Sequence, residues 1–378
     1  MKTPEIIIRG RDNGEGMVIR YKTSRRTEVF GLAIPNIYTN TDWDLGPTWC
    51  YLIAGRTITL IDTGRLGNFD LFCSLLKSTD KKITDIDRVV VTHSHEDHDG
   101  NLAEIISASG ATLVAHEIYQ SMISYHPEMR DDVPHPEFPG SCRFCPMPEQ
   151  VYRDCLPYHR NRNGVKVDIA VQDEHSLAED ALNFVFTPGH APDSICIVLE
   201  NEIIFTGDTI LPQITSQQTL AITYKVNRSL LPEKYSQSNS VYGLLNFIKS
   251  LSKIAGIRSQ PFEATFPAHR LYYDGQFNLL DAGQRAREMI SFHIERCRNI
   301  LEIIGDRPAG IEEIVVKHFP PSRLTGMGKT LAENEIRAHL EVMKEAGDIV
   351  WKRGSKDVVQ PTGSRNCLEK ITSFLGST

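Results

Sequence analysis

The sequence predicts a mixed α/β (α+β) fold, on three observations. Short apolar runs rich in Val, Ile and Phe recur and close near Gly, Asp or His. Stretches of helical character lie between some of them. Reactive side chains gather where the runs end. The runs fall at 58–61 before Asp62, 89–91 before Thr92, 113–115 before His116, 184–186 before Pro188, 203–205 before Gly207 and 265–266 before Pro267. Runs this short read as buried strands. Residues 68–78 and 102–108 read as helices between them.

Two stretches break the pattern. Residues 119–164 carry Pro127, Pro134, Pro136, Pro139, Pro146, Pro148 and Pro157 and little periodicity. This is the composition of an insertion, and long irregular segments are either functional lids or disordered. A second irregular stretch covers 212–235. The character changes near residue 283, where helices are expected at 286–304, 310–319 and 331–346. In the last of these Ile336, Leu340 and Met343 stand at i, i+4 and i+7, one apolar face, and Gly347 ends the helix. Residues 349–353, a turn at 354–357 and 358–360 read as a β-hairpin. The expected organisation is therefore a catalytic domain at 1–283, interrupted by the insertion at about 119–164, and a small winged-helix-like domain at 284–378.

The chain has 378 residues, 40% hydrophobic and 24% charged, enough to bury a core unaided. The formal net charge of −7 favours neither nucleic acid nor an anionic membrane as partner. No run of about 18 apolar residues suggests a membrane span. The polar N-terminus lacks the apolar stretch of a signal peptide, so a cytoplasmic location is expected, with the eight cysteines as reduced thiols.

The chemistry concentrates in Thr92-His93-Ser94-His95-Glu96-Asp97-His98-Asp99-Gly100, directly after an apolar run. Imidazole and carboxylate suit Zn²⁺ or iron. A sharp loop can turn His93 and His95 toward one ion, and Asp97 and His98 toward a second. Against this stands a solvated polar loop, but further single residues follow at strand ends: His190 in Thr187-Pro188-Gly189-His190, Asp208 in Gly207-Asp208-Thr209 and His269 in Pro267-Ala268-His269.

With that order of motifs the sequence resembles the metallo-β-lactamase superfamily over roughly residues 28–275. The resemblance implies an αββα sandwich with metals at one edge of two packed sheets. It implies one site from His93, His95 and His190, a second from Asp97, His98 and His269, and a shared Asp208. Asp62, in Leu60-Ile61-Asp62-Thr63-Gly64, matches an early strand-end aspartate and is expected to orient a ligand histidine. Two Zn²⁺ are expected, with iron or manganese as alternatives. Paired cations can ready a bridging hydroxide near neutral pH, with Asp97 both binding a metal and orienting the nucleophile. The expected activity is hydrolysis of a small-molecule ester or thioester, acyl-CoA-like. A single-strand-specific endoribonuclease is one alternative, because the tail resembles the small domain of a group that includes one. An iron-dependent persulfide dioxygenase-like enzyme is another, since that branch keeps the same histidine loop.

The tail carries eight Lys/Arg against six Asp/Glu from Ser322 to Asn366. That balance weighs against nucleic acid without excluding it. The tail then walls the active-site cleft or makes a homodimer contact. Cys142-x2-Cys145-x9-Cys155-x3-His159 holds four potential ligands in eighteen residues: a third, structural Zn²⁺, or ordinary loop thiols. His116 reads as a structural, hydrogen-bonded histidine. Tyr272 or Tyr273, beside the last motif, is either a leaving-group acid or a space filler.

Overall fold

The computed structural model describes residues 2–36, 43–124, 156–352 and 357–375. Two sheets lie face to face between helical layers. The first holds eight strands in chain order: β1 (Glu5–Ile8), β2 (Val18–Lys22), β3 (Glu28–Ile34), β4 (Thr48–Ala54), β5 (Ile58–Ile61), β6 (Arg88–Val90), β7 (Thr112–His116) and β8 (Ile169–Val171). Pairing is antiparallel as far as β5 and parallel from β5 to β8. The second sheet takes β9 (Ser176–Leu177), β10 (Leu182–Phe186), β11 (Ile195–Leu199), β12 (Ile203–Gly207) and β13 (Ala264–Pro267), also in chain order across the sheet. Only β12 and β13 pair in parallel there.

Both faces of each sheet are covered, so the central strands are apolar throughout. In β4, Trp49, Tyr51 and Ile53 face the second sheet, and Cys50 and Leu52 face the outer helices. Between the sheets the rings of Tyr51, Phe205 and Phe266 pack at centroid distances of 5.2–5.4 Å. The Tyr51 hydroxyl donates to the Pro267 carbonyl at 2.5 Å, tying β4 to the end of β13, two residues before His269. Helices Phe69–Lys77 and Leu102–Ser109 cover the first sheet through Phe72, Leu75, Leu76, Leu102 and Ile105.

Helix Leu244–Gly256 covers the second sheet and packs in turn on Ala282–Ile304. The apolar cluster beneath them runs on without a break into helices Ile311–His318, Gly328–Glu345 and Asn366–Thr372. A three-stranded sheet, Ala309–Gly310, Val358–Pro361 and Ile349–Lys352 in that spatial order, completes this end. Residue 283 thus lies at the start of a long helix whose core is shared with the second sheet.

Several elements differ from expectation. The long helix starts four residues early because Asp281 caps it, accepting from the Gln284 N–H at 2.7 Å. The stretch 212–235 contains short helices, Thr223–Asn227 and Glu233–Ser236. The region 119–164 opens with helix Tyr119–Ile123 and closes with Leu156–Asn161. Cys142, Cys145 and Cys155 lie outside the described residues. Among the described residues, no helix is long and apolar enough to cross a membrane.

Candidate metal centre

Five strand ends supply the site. Asp62 follows β5, Thr92 to His98 follow β6, His190 follows β10, Asp208 follows β12 and His269 lies just past β13. After β6 the chain bends through Thr92–Ser94, is extended at His95, and then turns into the short helix Glu96–Asp99, closed by the His98 and Asp99 N–H groups on the His95 carbonyl. The start of the helix after His95 sets Asp97 and His98 apart from His93 and His95. His190 follows Gly189, whose φ is +128° and whose missing Cβ would stand 2.4 Å from the Phe247 backbone. Only glycine lets this turn approach helix Leu244–Gly256 so closely.

The structure brings all seven expected ligand residues together. Ligand atoms of His93, His95 and His190 lie within 4.8 Å of one another, as do those of His93, His98 and Asp208, and those of Asp97, His98 and His269. The His95 Nδ1 stands 3.1 Å from both His93 Nε2 and His190 Nε2. Asp208 presents Oδ2 to His190 at 3.4 Å, and Oδ1 to His98 at 3.4 Å and His269 at 3.3 Å. It therefore stands between the two halves. Asp97 Oδ2 is 3.2 Å from His269 Nε2.

The outward ring nitrogens are held by acceptors. The Nδ1–H groups donate from His98 to Asp62 at 2.8 Å, from His190 to the Gln217 carbonyl at 2.6 Å and from His269 to the Pro47 carbonyl at 3.1 Å. Each Nε2 lone pair then faces inward. Asp62 also accepts from the Thr92 N–H and hydroxyl, both at 2.8 Å. It touches His98 and its loop, and stands behind the cluster.

Charge and burial complete the picture. Burial lowers the pKa of His93, His190 and His95, the last to about 3, with neighbouring imidazoles adding to the effect. Burial opposes ionisation of Asp97 and Asp208, yet His98 and His269 outweigh it and hold both carboxyls low. Burial also disfavours charge on His98 and His269, but Asp97 and Asp208 overcome it and raise both. Protons and a cation compete for the same inward atoms. His98 Nε2, His269 Nε2 and Asp208 Oδ1 are buried with no hydrogen-bond partner. Such orphaned atoms are costly in a dry interior unless something binds them. The donor set, its protonation states and its orphaned atoms fit divalent cations.

Other residues were not visible in the sequence. Asn36 Nδ2 and the Thr48 hydroxyl donate to Asp97 Oδ2 at 2.9 and 3.2 Å. Arg162, buried, donates to Asp99 at 3.0 Å and to the Ser94 carbonyl at 3.2 Å. Tyr158 and Tyr119 bond the same two groups at 3.1 and 2.7 Å. Both ends of the 119–164 region thereby grip the histidine loop. His159 accepts from Arg162 at 3.2 Å, while its expected cysteine companions lie outside the described residues. His116 stacks on Phe186 at 4.0 Å and accepts from the Ile118 N–H, apart from the cluster. Tyr272 packs on Phe277, and the Tyr273 hydroxyl donates to Asp44 at 3.0 Å.

A two-sheet sandwich flanked by helices, with histidines and aspartates converging from its strand ends, defines a metal-centre class of α/β protein. The chain belongs to the metallo-beta-lactamase superfamily, whose family model matches residues 43–234. A probable metallo-hydrolase of Methanocaldococcus jannaschii is 28% identical over 220 residues, 58% of this chain and 85% of that one. A thioesterase of Emericella nidulans is 29% identical over 176 residues, 46% of this chain and 39% of that one. The fold is similar to that of a metallo-beta-lactamase family protein from Thermus thermophilus, with a TM-score of 0.62 and 20% identity, over 87% of this chain and 97% of that one.

Proposed function

We propose that the chain is a two-cation metallohydrolase acting on a small-molecule ester or thioester. The observation that carries the reading is the convergence of seven side chains on one centre whose inward atoms, His98 Nε2, His269 Nε2 and Asp208 Oδ1, make no hydrogen bond outside the cluster. His93, His95 and His190 would hold one cation, Asp97, His98 and His269 the other, and Asp208 would touch both. Zinc suits this set, and iron or manganese would also be accepted. Bound there, the cations supply Lewis acidity and lower the pKa of water toward neutrality.

The protein's own part is to fix those ligands. Asp62 sets the tautomer of His98, and the Gln217 and Pro47 carbonyls do the same for His190 and His269. Asn36 and Thr48 hold Asp97 Oδ2, leaving its carboxylate placed to orient an attacking water. The thioesterase relative supports the ester or thioester class. The segment 284–378, read as a winged-helix-like appendage, walls the site through the Gln217 side chain, which donates to the Leu331 carbonyl at 3.1 Å.

A panel of acyl thioesters and esters, run beside a labelled single-stranded RNA on zinc-loaded protein, tests the reading. Thioester or ester turnover lost in Asp208→Asn is the expected result. Cleavage of the RNA alone would overturn the substrate class.

A further inference from the structure

A strap of chain, residues 216–222, joins the metal centre to helix Gly328–Glu345. On the side of the centre it is fastened at three places. The Ser216 hydroxyl donates to the Asp208 carbonyl at 2.7 Å. The Gln217 carbonyl accepts from His190 Nδ1 at 2.6 Å. The Thr219 N–H and hydroxyl both donate, at 2.8 Å, to the carbonyl of Gly189, the residue before His190. The Thr219 hydroxyl also accepts from the Gly243 N–H at 3.0 Å. A Cβ on Gly243, whose φ is +97°, would stand 2.9 Å from the Ala221 Cβ, so the strap lies close against the start of helix Leu244–Gly256.

On its other side the strap is fastened to the C-terminal helix at two places. The Gln217 side chain donates to the Leu331 carbonyl at 3.1 Å. Glu341 accepts from two consecutive backbone groups, Oε2 from the Ala221 N–H at 2.6 Å and Oε1 from the Ile222 N–H at 3.0 Å. Leu331 and Glu341 stand about 15 Å apart along the helix axis, so the strap is laid along the helix rather than touched at one point. The helix is itself fixed, with Ala332, Ile336, Leu340 and Met343 fully buried in the core shared with the second sheet. Burial pushes the Glu341 carboxyl up to about 7, and the Ala221 and Ile222 N–H groups pull it back. A carboxylate in such a place is stable only while it keeps those donors.

The reach of the strap is one-sided. Its bonds end on His190, on the glycine before it and on the Asp208 backbone. His98 and His269 are oriented by Asp62 and the Pro47 carbonyl, which belong to other segments. A disturbance entering at Glu341 therefore arrives at one half of the ligand set.

We propose that Glu341 is a positioning residue: by clamping the strap it sets the ring of His190, and with it the hold of the His93, His95 and His190 half on its cation. This role rests on the two-cation reading above and extends it, because the C-terminal helix then governs one half of the centre and not the other.

Proton spectra of the zinc-loaded full chain, recorded at about pH 8 where Glu341 is ionised, read the role apart from turnover. The Nδ1–H groups of His98, His190 and His269 are each hydrogen-bonded, which moves their protons downfield and slows their exchange. Replacing each histidine in turn assigns them. In Glu341→Gln one backbone N–H faces the new NH₂ group. The His190 proton is expected to move upfield and exchange faster, while those of His98 and His269 stay in place. Competition against a fluorescent zinc chelator is expected to show one of two zinc steps weakened about tenfold, the lower end for a group standing behind a metal ligand, and the other unchanged within about twofold. Gln217→Met removes the tie to Leu331 and keeps the Gln217 carbonyl. It is expected to shift the same proton by less, and it carries the test if Glu341→Gln does not fold.

A His190 proton indifferent to both variants overturns the proposal. So do equal changes at all three histidines, which mark a general loosening of the fold, and equal weakening of both zinc steps. A wild-type chain that takes up no zinc overturns the two-cation reading and this role with it. A chain that shows the His190 effect but turns over no ester or thioester keeps the positioning role and loses the reaction. One that hydrolyses thioesters with His190 indifferent to position 341 keeps the reaction and loses the role.

Discussion

Asp62→Asn isolates the contribution of one buried carboxylate to the centre. Asp62 has φ +58°, a conformation Asn tolerates as well as Asp, so the backbone need not move. The wild-type carboxylate accepts three hydrogen bonds at 2.8 Å: Oδ1 from the Thr92 N–H, Oδ2 from the Thr92 hydroxyl and His98 Nδ1. In Asn the oxygen keeps the Thr92 N–H, and an NH₂ group now faces His98 Nδ1. The imidazole must then give up its Nδ1 proton and keep the one on Nε2, which points at Asp97 and Asp208. Two charge-assisted hydrogen bonds are lost in a site that is almost fully buried, a cost of about 2–4 kcal/mol. The His98 lone pair is also withdrawn from the centre, which should weaken metal binding roughly 10–100-fold. Urea denaturation of chelator-treated protein reads the first effect, and competition against a fluorescent zinc chelator reads the second. If Asp62→Asn matched wild type in both, within twofold in affinity, the orienting role assigned to Asp62 would be wrong.

Three further outcomes follow from the packing around the site. Arg162→Met leaves Asp99 buried without its guanidinium and should cost about 3–5 kcal/mol by urea denaturation, far more than an exposed pair would. Gly189→Ala forces a Cβ onto the Phe247 backbone at φ +128° and should lower stability by at least about 2 kcal/mol, with reduced zinc content, read by thermal melting and elemental analysis. His116 has a pKa lowered to about 3 by burial, against an ordinary 6.5, so between those values the unfolded chain binds a proton that the folded one refuses. Its contribution is therefore absent above pH 6.5 and lowers stability as the pH falls, by about 1.4 kcal/mol at pH 5.5. The difference between wild-type and His116→Asn stability curves should widen in the variant's favour from pH 6.5 to 5, and parallel curves would refute it.

The sandwich was legible where strands ended in chemistry and obscure elsewhere. The runs before Asp62, Thr92, Pro188, Gly207 and Pro267 stand out because each stops at a turn residue. β3 and β4 carry no such mark. Both their faces are buried, so the two-residue alternation that announces a half-exposed strand is missing. The histidine loop is legible because four of its reactive residues fall within six positions. His190, Asp208 and His269 are each weak alone and gain meaning only as an ordered set. The hydrogen bonds of Asn36 and Thr48 to Asp97 join residues 61 and 49 positions apart, and nothing local in the sequence encodes them. The grip of Arg162 on Asp99 and Ser94 is hidden for the same reason, inside a region whose prolines suggested only irregularity.

The central claim is that two cations are held at one centre by seven side chains. Diffraction from crystals grown with zinc, recorded on both sides of the zinc absorption edge, tests it most directly. The account predicts two anomalous peaks about 3.5–4 Å apart, one among His93, His95 and His190 and one among Asp97, His98 and His269, with Asp208 touching both. Ligand side chains turned away from an empty centre, or zinc bound only elsewhere, would contradict it.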